Sequence, residues 1–244
     1  MVTTMRLHRF IAQCGVTSRR KAESLISEGR VEVNGAVVTE MGVTVDPESD
    51  SVSVDGKPLE LPRPQVFLFN KPKGVVTTMS DPHGRKAVSD FFPTSVTGLK
   101  PVGRLDMATE GLLILTNDGE LASRLTHPSW GVEKEYVAQV RSLPDEHDLD
   151  RLRKGIWIEG GKTSPAQVEV VNYDEKKGLA TVTIVLHEGR KHQVRLMLEA
   201  VGHPVVTLKR VRIANFLIKG LVSGQVRKLG QREVQSLRRA VGLD

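Results

Sequence analysis

The 244-residue chain contains one cysteine, two tryptophans, two tyrosines and six phenylalanines. A lone thiol, Cys14, can form neither an internal disulfide nor a multi-cysteine metal site, which fits a reducing cytoplasm. Aromatic residues make up 4%, too few for a platform on which successive bases stack. The longest apolar runs, such as the LLIL of 112–115, are too short to cross a bilayer. The opening MVTTMRLHRFIAQCG has no secretory-type apolar core, so no membrane association is expected. The histidines form neither HxxxH nor HExxH, and neither GxSxG nor GxxxxGK[ST] occurs. A metal centre, a serine-hydrolase elbow and a phosphate-binding loop are therefore not expected.

Basic charge is abundant. The formal net charge is +6 and the isoelectric point about 9.5. Residues 190–228 hold nine Lys or Arg against one acid. Arg6, Arg9, Arg19, Arg20 and Lys21 form a second cluster with no acid between them. Two separate basic segments point to a polyanion, and nucleic acid is the natural one.

The first sixty residues predict a small module. Leu7, Phe10, Ile11 and Cys14 recur at helical spacing, and Gly15 ends that helix. Thr17 or Ser18 can cap a second helix that buries Ala22, Leu25 and Ile26 and stops at Gly29. VEVNGAVV and SVSVDGKPLEL each alternate around a hairpin turn, Asn-Gly and Asp-Gly. Residues 61–65, LPRPQ, read as a linker. From 66 to 244 the pattern is strand-rich: VFLFN, GLLILT, EKEYVAQV, AQVEVV with ATVTIVL, and VVTLKRVRIANF. Helices are expected at ELASRL, HQVRLMLEAVG and 231–241. The sum is an α+β chain with a largely antiparallel sheet.

One carboxylate stands out. Asp106 lies at the entrance to the apolar run GLLILT. As an isolated residue it reads as a turn aspartate or a surface ion-pair partner. Near a core it needs a partner, because desolvation alone would neutralise it. Arg195, between the apolar residues Val194 and Leu198, is the expected partner. A carboxylate cluster of Asp106 with Asp118 and Glu120 would suit a metal-dependent nuclease, but Asn117-Asp118-Gly119-Glu120 reads first as a turn opening a helix. Cys14, on an apolar helix face, reads as core.

These strings, in this order, resemble the ribosomal RNA pseudouridine synthases of the branch that contains the small-subunit enzyme A and the large-subunit enzymes B, E and F. RLHRFIAQCGVTSRRKAESLISEGRVEVNG is similar to an S4 RNA-binding domain. NKPKGVVTTMSDPHGR, GRLDMATEGLLILTNDGELASRLTHP, EKEYVAQV and EGRKHQVRLMLEAVGHPVVTLKRVRI are similar to the successive catalytic-domain motifs. The resemblance implies an S4 domain over 1–60 and a catalytic domain over 66–244, the latter with a mixed, mostly antiparallel sheet and a central cleft. It implies isomerisation of uridine to pseudouridine without a cofactor, in a monomeric, cytoplasmic protein whose partner is ribosomal RNA, free or in an assembly intermediate. Large-subunit RNA is preferred over small-subunit RNA, and a non-catalytic S4-type assembly factor is the alternative.

The resemblance also assigns residues. Asp106 is the catalytic carboxylate, as nucleophile or base. Tyr136 stacks on the uracil and helps remove the C5 proton, and Arg195 pairs with the aspartate. Arg104 holds the vacated stack once the uridine flips out, with Leu105 beside it. Lys71, Lys73, Arg190, Lys191 and His192 line the RNA path. Arg6, Arg9, Arg19, Arg20 and Lys21 grip RNA from the S4 module. Lys191-His192 stands where many members read Asn-Arg, and Leu196 where many have a second basic residue, so no particular target uridine is carried over.

Overall fold

The computed structural model describes residues 4–93, 96 and 98–243. The chain forms two compact units. The first runs to Gln65 and also takes in segments 94–99 and Asn117–Gly119; the second holds the rest.

In the first unit, the Leu7–Gln13 helix buries Leu7, Phe10, Ile11 and Ala12. Ser18 Oγ accepts the Lys21 N–H and starts the Arg19–Ser27 helix, which buries Ala22 and Ile26. Both expected hairpins form. Asn34 and Gly35, then Asp55 and Gly56, take positive φ, the conformation a two-residue turn of this hand requires. Their strands join in one four-stranded antiparallel sheet. Val31, Val45, Val52 and Val54 close the core against the two helices, with Cys14 packed at its margin. Burial pushes the Cys14 thiol up to about 11, so it is an inert thiol. Within the first unit, Asn117 Oδ1 accepts the Gln65 N–H at 2.7 Å, and its amide donates to the Arg63 carbonyl at 3.0 Å.

The second unit is built on a nine-stranded mixed sheet. Its main path runs Gln167–Asp174, Leu179–Leu186, Lys134–Arg141, Val205–Ile213, Glu110–Thr116, Val66–Lys71, Val226–Lys228. All pairs are antiparallel except Glu110–Thr116 with Val205–Ile213. That parallel contact spans two register pairs, Glu110 with Lys209 and Gly111 with Arg210. Further along, Ile114 to Thr116 pair instead with Lys100–Val102. The sheet therefore divides just past Gly111. A Cβ on Gly111, whose φ is +118°, would lie 2.2 Å from the Arg210 carbonyl oxygen, so glycine is required where the halves meet.

One face of the sheet is covered by the Gly119–Thr126 and Gln231–Ala240 helices. Leu121, Leu125 and Leu237 pack there with Leu68, Leu112 and Ile114. Each fully buried leucine contributes about 2 kcal/mol by removal from water. One helix was not expected: Glu146–Arg153, capped by Asp145 and burying Leu149 and Leu152.

Candidate active site

Asp106 lies in the loop between the Lys100–Val102 and Glu110–Thr116 strands. The backbone on both sides of it is held. Thr77 Oγ1 donates to the Leu105 carbonyl at 2.6 Å and accepts the Leu105 N–H at 3.3 Å. The Gly74 N–H donates to the Met107 carbonyl at 2.8 Å, and the Thr109 N–H to that of Asp106 at 2.9 Å. The NKPKGVVT loop thus laces to the RLDMAT loop. The carboxylate stands on this fixed turn with 35% of its side chain exposed, reachable by a substrate and partly shielded from bulk water.

Arg195 reaches the same loop, but the expected ion pair with Asp106 is not formed. Its guanidinium donates to two carbonyls instead, Ala108 and Val205, both at 3.3 Å. Its place on the first turn of the Gln193–Ala200 helix aims it at backbone rather than at the carboxylate. The basic group that does meet Asp106 is His192, whose Nε2 lies 3.4 Å from Oδ1 and forms an ion pair with it when protonated. His192 takes the left-handed conformation, φ 55°, at the helix N-cap, and its ring is half-exposed.

The EGRKHQVR segment is organised by Gln193 and Glu188. Gln193 Oε1 accepts the Arg190 N–H at 3.0 Å, and its amide donates to Glu188 at 2.6 Å. Arg190 is consumed internally. It pairs with Glu188 and donates to the carbonyls of Gly160, Gly161 and Lys162. It clasps a short hairpin, so its guanidinium is already engaged within the protein. Lys191 and His192 remain exposed, as do Lys73 and Arg104.

Two further expectations are corrected. Leu105 is 5% exposed and belongs to the core, so it cannot touch RNA. Lys71 is 0% exposed; its ammonium donates to the carbonyls of Val75 at 2.8 Å and Pro72 at 3.0 Å. Burial pushes it down to about 8, opposed by the nearby negative charges of Asp106 and Glu110 and helped by Arg210. Lys71 is therefore a charge behind the carboxylate rather than a phosphate contact. In the first unit, Arg19, Arg20 and Lys21 are exposed, Arg9 is half-buried, and Arg6 donates to the Gly42 carbonyl.

Tyr136 lies in the Lys134–Arg141 strand and is buried except for 9% of its surface. Its cross-strand partner is Arg210. Sequence reasoning missed Arg210, because VVTLKRVRIANF reads as an ordinary basic strand. Arg210 is 3% exposed. Its Nε donates to the Leu112 carbonyl at 2.8 Å, just past the two parallel register pairs, where the sheet divides. Its Nη1 lies 3.4 Å from the Tyr136 hydroxyl. Lys134, also missed, is lowered to about 8 by burial and then by Arg210.

Among the described residues, Asp145, His147 and Asp148 bring ligand atoms within 4.8 Å of one another. Asp145 is already the helix cap, and Asp148 meets His203 at 3.0 Å. No helix among the described residues is long and apolar enough to cross a membrane.

Comparison with known proteins gives the family of the chain. Residues 65–200 match the RNA pseudouridylate synthase family, and residues 5–52 match the S4 domain. The chain is 48% identical over 233 residues to the ribosomal large subunit pseudouridine synthase B of Bacillus subtilis, covering 96% of this chain and 95% of that one. It is 45% identical to an uncharacterized RNA pseudouridine synthase of Aquifex aeolicus, covering 98% and 96%. A crystal structure of a pseudouridylate synthase, 32% identical, superposes with a TM-score of 0.68 over 96% of this chain and 99% of that one. The matched span takes in Asp106, Tyr136 and Arg195 together, and the chain belongs to the RNA pseudouridylate synthase family and carries an S4 domain.

Proposed function

We propose that the protein isomerises a specific uridine of ribosomal RNA to pseudouridine, with large-subunit RNA preferred over small-subunit RNA. The observation that carries the reading is Asp106 itself: a carboxylate fixed by bonds to Leu105, Met107 and Ala108, partly open to solvent, with the Lys71 charge behind it. The large-subunit preference rests on the names carried by the Bacillus subtilis and Pseudomonas aeruginosa relatives, 48% and 39% identical.

The reaction breaks the N1–C1′ bond, turns the uracil and joins C5 to C1′. The C5 proton is lost and N1 gains one, so composition is unchanged. Asp106 serves as nucleophile toward sugar or base, or takes a sugar proton. A paired uridine reaches it only by flipping out, at a cost of a few kcal/mol. Arg104, exposed two residues before Asp106, is suited to the vacated stack. Tyr136 packs on the uracil and removes the C5 proton. Arg19, Arg20 and Lys21 hold the RNA through phosphates.

Incubation with rRNA, followed by carbodiimide treatment and reverse transcription, tests this. A new stop at one uridine is expected with the wild type. None is expected with Asp106→Asn, whose RNA affinity should match the wild type. An active Asn variant removes Asp106 from the chemistry. An inactive wild type that still binds rRNA points to a non-catalytic assembly factor.

A further inference from the structure

Arg210 is a fully buried arginine whose bonding is incomplete. Nε serves the Leu112 carbonyl, Nη1 faces the Tyr136 hydroxyl, and Nη2 is buried with no partner. The guanidinium lies 5.9 Å from the centre of the Tyr136 ring. A guanidinium does not give up its proton, so Nη1 can only donate. The Tyr136 oxygen must therefore accept from Arg210, and its own O–H points elsewhere. The charges around Arg210 are Lys71 and Lys134, with Asp106 and Glu110 acting on Lys71. Neither lysine makes a carboxylate pair; each ammonium is spent on backbone carbonyls. It is Arg210 that reaches the Tyr136 oxygen, while the two lysine ammoniums sit on the carbonyls of Pro72, Val75 and Val132. A donor fixed on one lone pair orients the oxygen and leaves its other lone pair and its O–H for moving a proton.

We propose that Arg210 is a positioning residue that fixes the Tyr136 oxygen while it takes the C5 proton, a role that rests on the reading of Tyr136 above. In the C1′–C5 linked intermediate, the C5–H electron pair restores the C5–C6 double bond. The C6–N1 π pair returns to N1, which takes a proton from solvent. Tyr136 receives the C5 proton as its own O–H proton passes to solvent, so no oxidant or co-reactant is needed.

The test uses substrate RNA made with uridine deuterated at C5, under single turnover. Arg210→Gln is expected to slow product formation about 10²-fold, the scale of one acid–base assistance. It should also raise the C5 deuterium isotope effect to a full primary value, because proton removal becomes limiting. Arg210→Lys, which keeps the charge, should recover part of the rate. Adding Arg210→Gln to Tyr136→Phe should cost little more than Tyr136→Phe alone. A slowed Arg210→Gln enzyme with an unchanged isotope effect, or fully additive costs in the double variant, overturns the proposal and leaves Arg210 a packing residue. If Tyr136→Phe itself turns over at the wild-type rate and isotope effect, the reading of Tyr136 fails instead. Circular dichroism and an Arg210→Met comparison separate unfolding from missing assistance, since Met keeps the volume and Gln part of the donor set.

Discussion

Arg195 Nη2 donates to the carbonyl of Ala108, two residues beyond the aspartate it was expected to neutralise. The arginine secures the loop that carries the carboxylate, and the carboxylate itself meets His192. Orientation, rather than direct charge compensation, is what this arginine supplies. Arg195→Leu should therefore lower kcat by about 10²-fold, the cost of an ångström-scale misplacement. The stability loss should stay near about 1–2 kcal/mol, the worth of two modest hydrogen bonds. Arg195→Lys should rescue little, because one ammonium cannot span both carbonyls. Steady-state kinetics alongside urea denaturation reads both effects.

Lys71 and Lys134 make stability and activity run in opposite directions with pH. Each is held at about 8 in the fold against 10.5 unfolded. Between those values the unfolded chain binds more protons than the folded one, so stability rises with pH from about 8 to about 10.5. The gain is on the order of 1–3 kcal/mol for the fully buried Lys71 and less for half-buried Lys134. Over the same range Lys71 loses the charge behind Asp106, and turnover should fall. Urea midpoints at pH 7 and 9.5 check the first trend. In Lys71→Met both the stability slope and the alkaline fall in rate assigned to this residue should shrink.

Gly111→Ala should be among the most damaging small substitutions in the chain. The new methyl would meet the Arg210 carbonyl oxygen at 2.2 Å and its nitrogen at 2.6 Å, in a backbone conformation L-residues avoid. A loss above about 3 kcal/mol is expected. Gly35→Ala shares a positive φ but meets nothing within 4 Å, and should cost about 1 kcal/mol. Chemical denaturation of the two variants side by side measures the difference.

The basic residues divide into free and committed sets. Arg19, Arg20 and Lys21 are exposed beside the Ser18 cap. Replacing all three with alanine should weaken RNA binding and flatten its salt dependence by roughly one unit of slope for each phosphate no longer neutralised. Arg190→Ala should leave the salt slope alone and loosen the Trp157–Lys162 hairpin, because its guanidinium already serves that hairpin's carbonyls. Filter binding across a salt series distinguishes the two.

Local chemistry was well written in the sequence. Asn34-Gly35 and Asp55-Gly56 announced their hairpins, and Ser18 its helix. Asp106 by itself read as a turn aspartate, and its proposed role came from the family resemblance. Partners were not legible. Nothing in HQVRLMLE tells whether Arg195 meets a side chain or a carbonyl, since that depends on how the helix start at His192 and Gln193 is oriented. Lys71 read as surface because lysine usually is, yet the carbonyls of Pro72 and Val75 replace its water. Arg210 was invisible for the same reason, as its burial follows from a strand pairing far away in sequence. The Glu146–Arg153 helix had a signal, Asp145 followed by Leu149 and Leu152, that a short apolar stripe made easy to pass over.

The parallel join of Glu110–Thr116 with Val205–Ile213 has a kinetic consequence. Arg210 and the Leu112 carbonyl it bonds are 98 residues apart. The entropy of closing so long a loop must be met before the contact returns anything, and such topologies fold slowly. Hairpins such as Gln167–Asp174 with Leu179–Leu186 can form early from near neighbours. The join that brings Arg210 to the Leu112 carbonyl comes late, so recovery of catalysis on refolding should trail recovery of secondary structure.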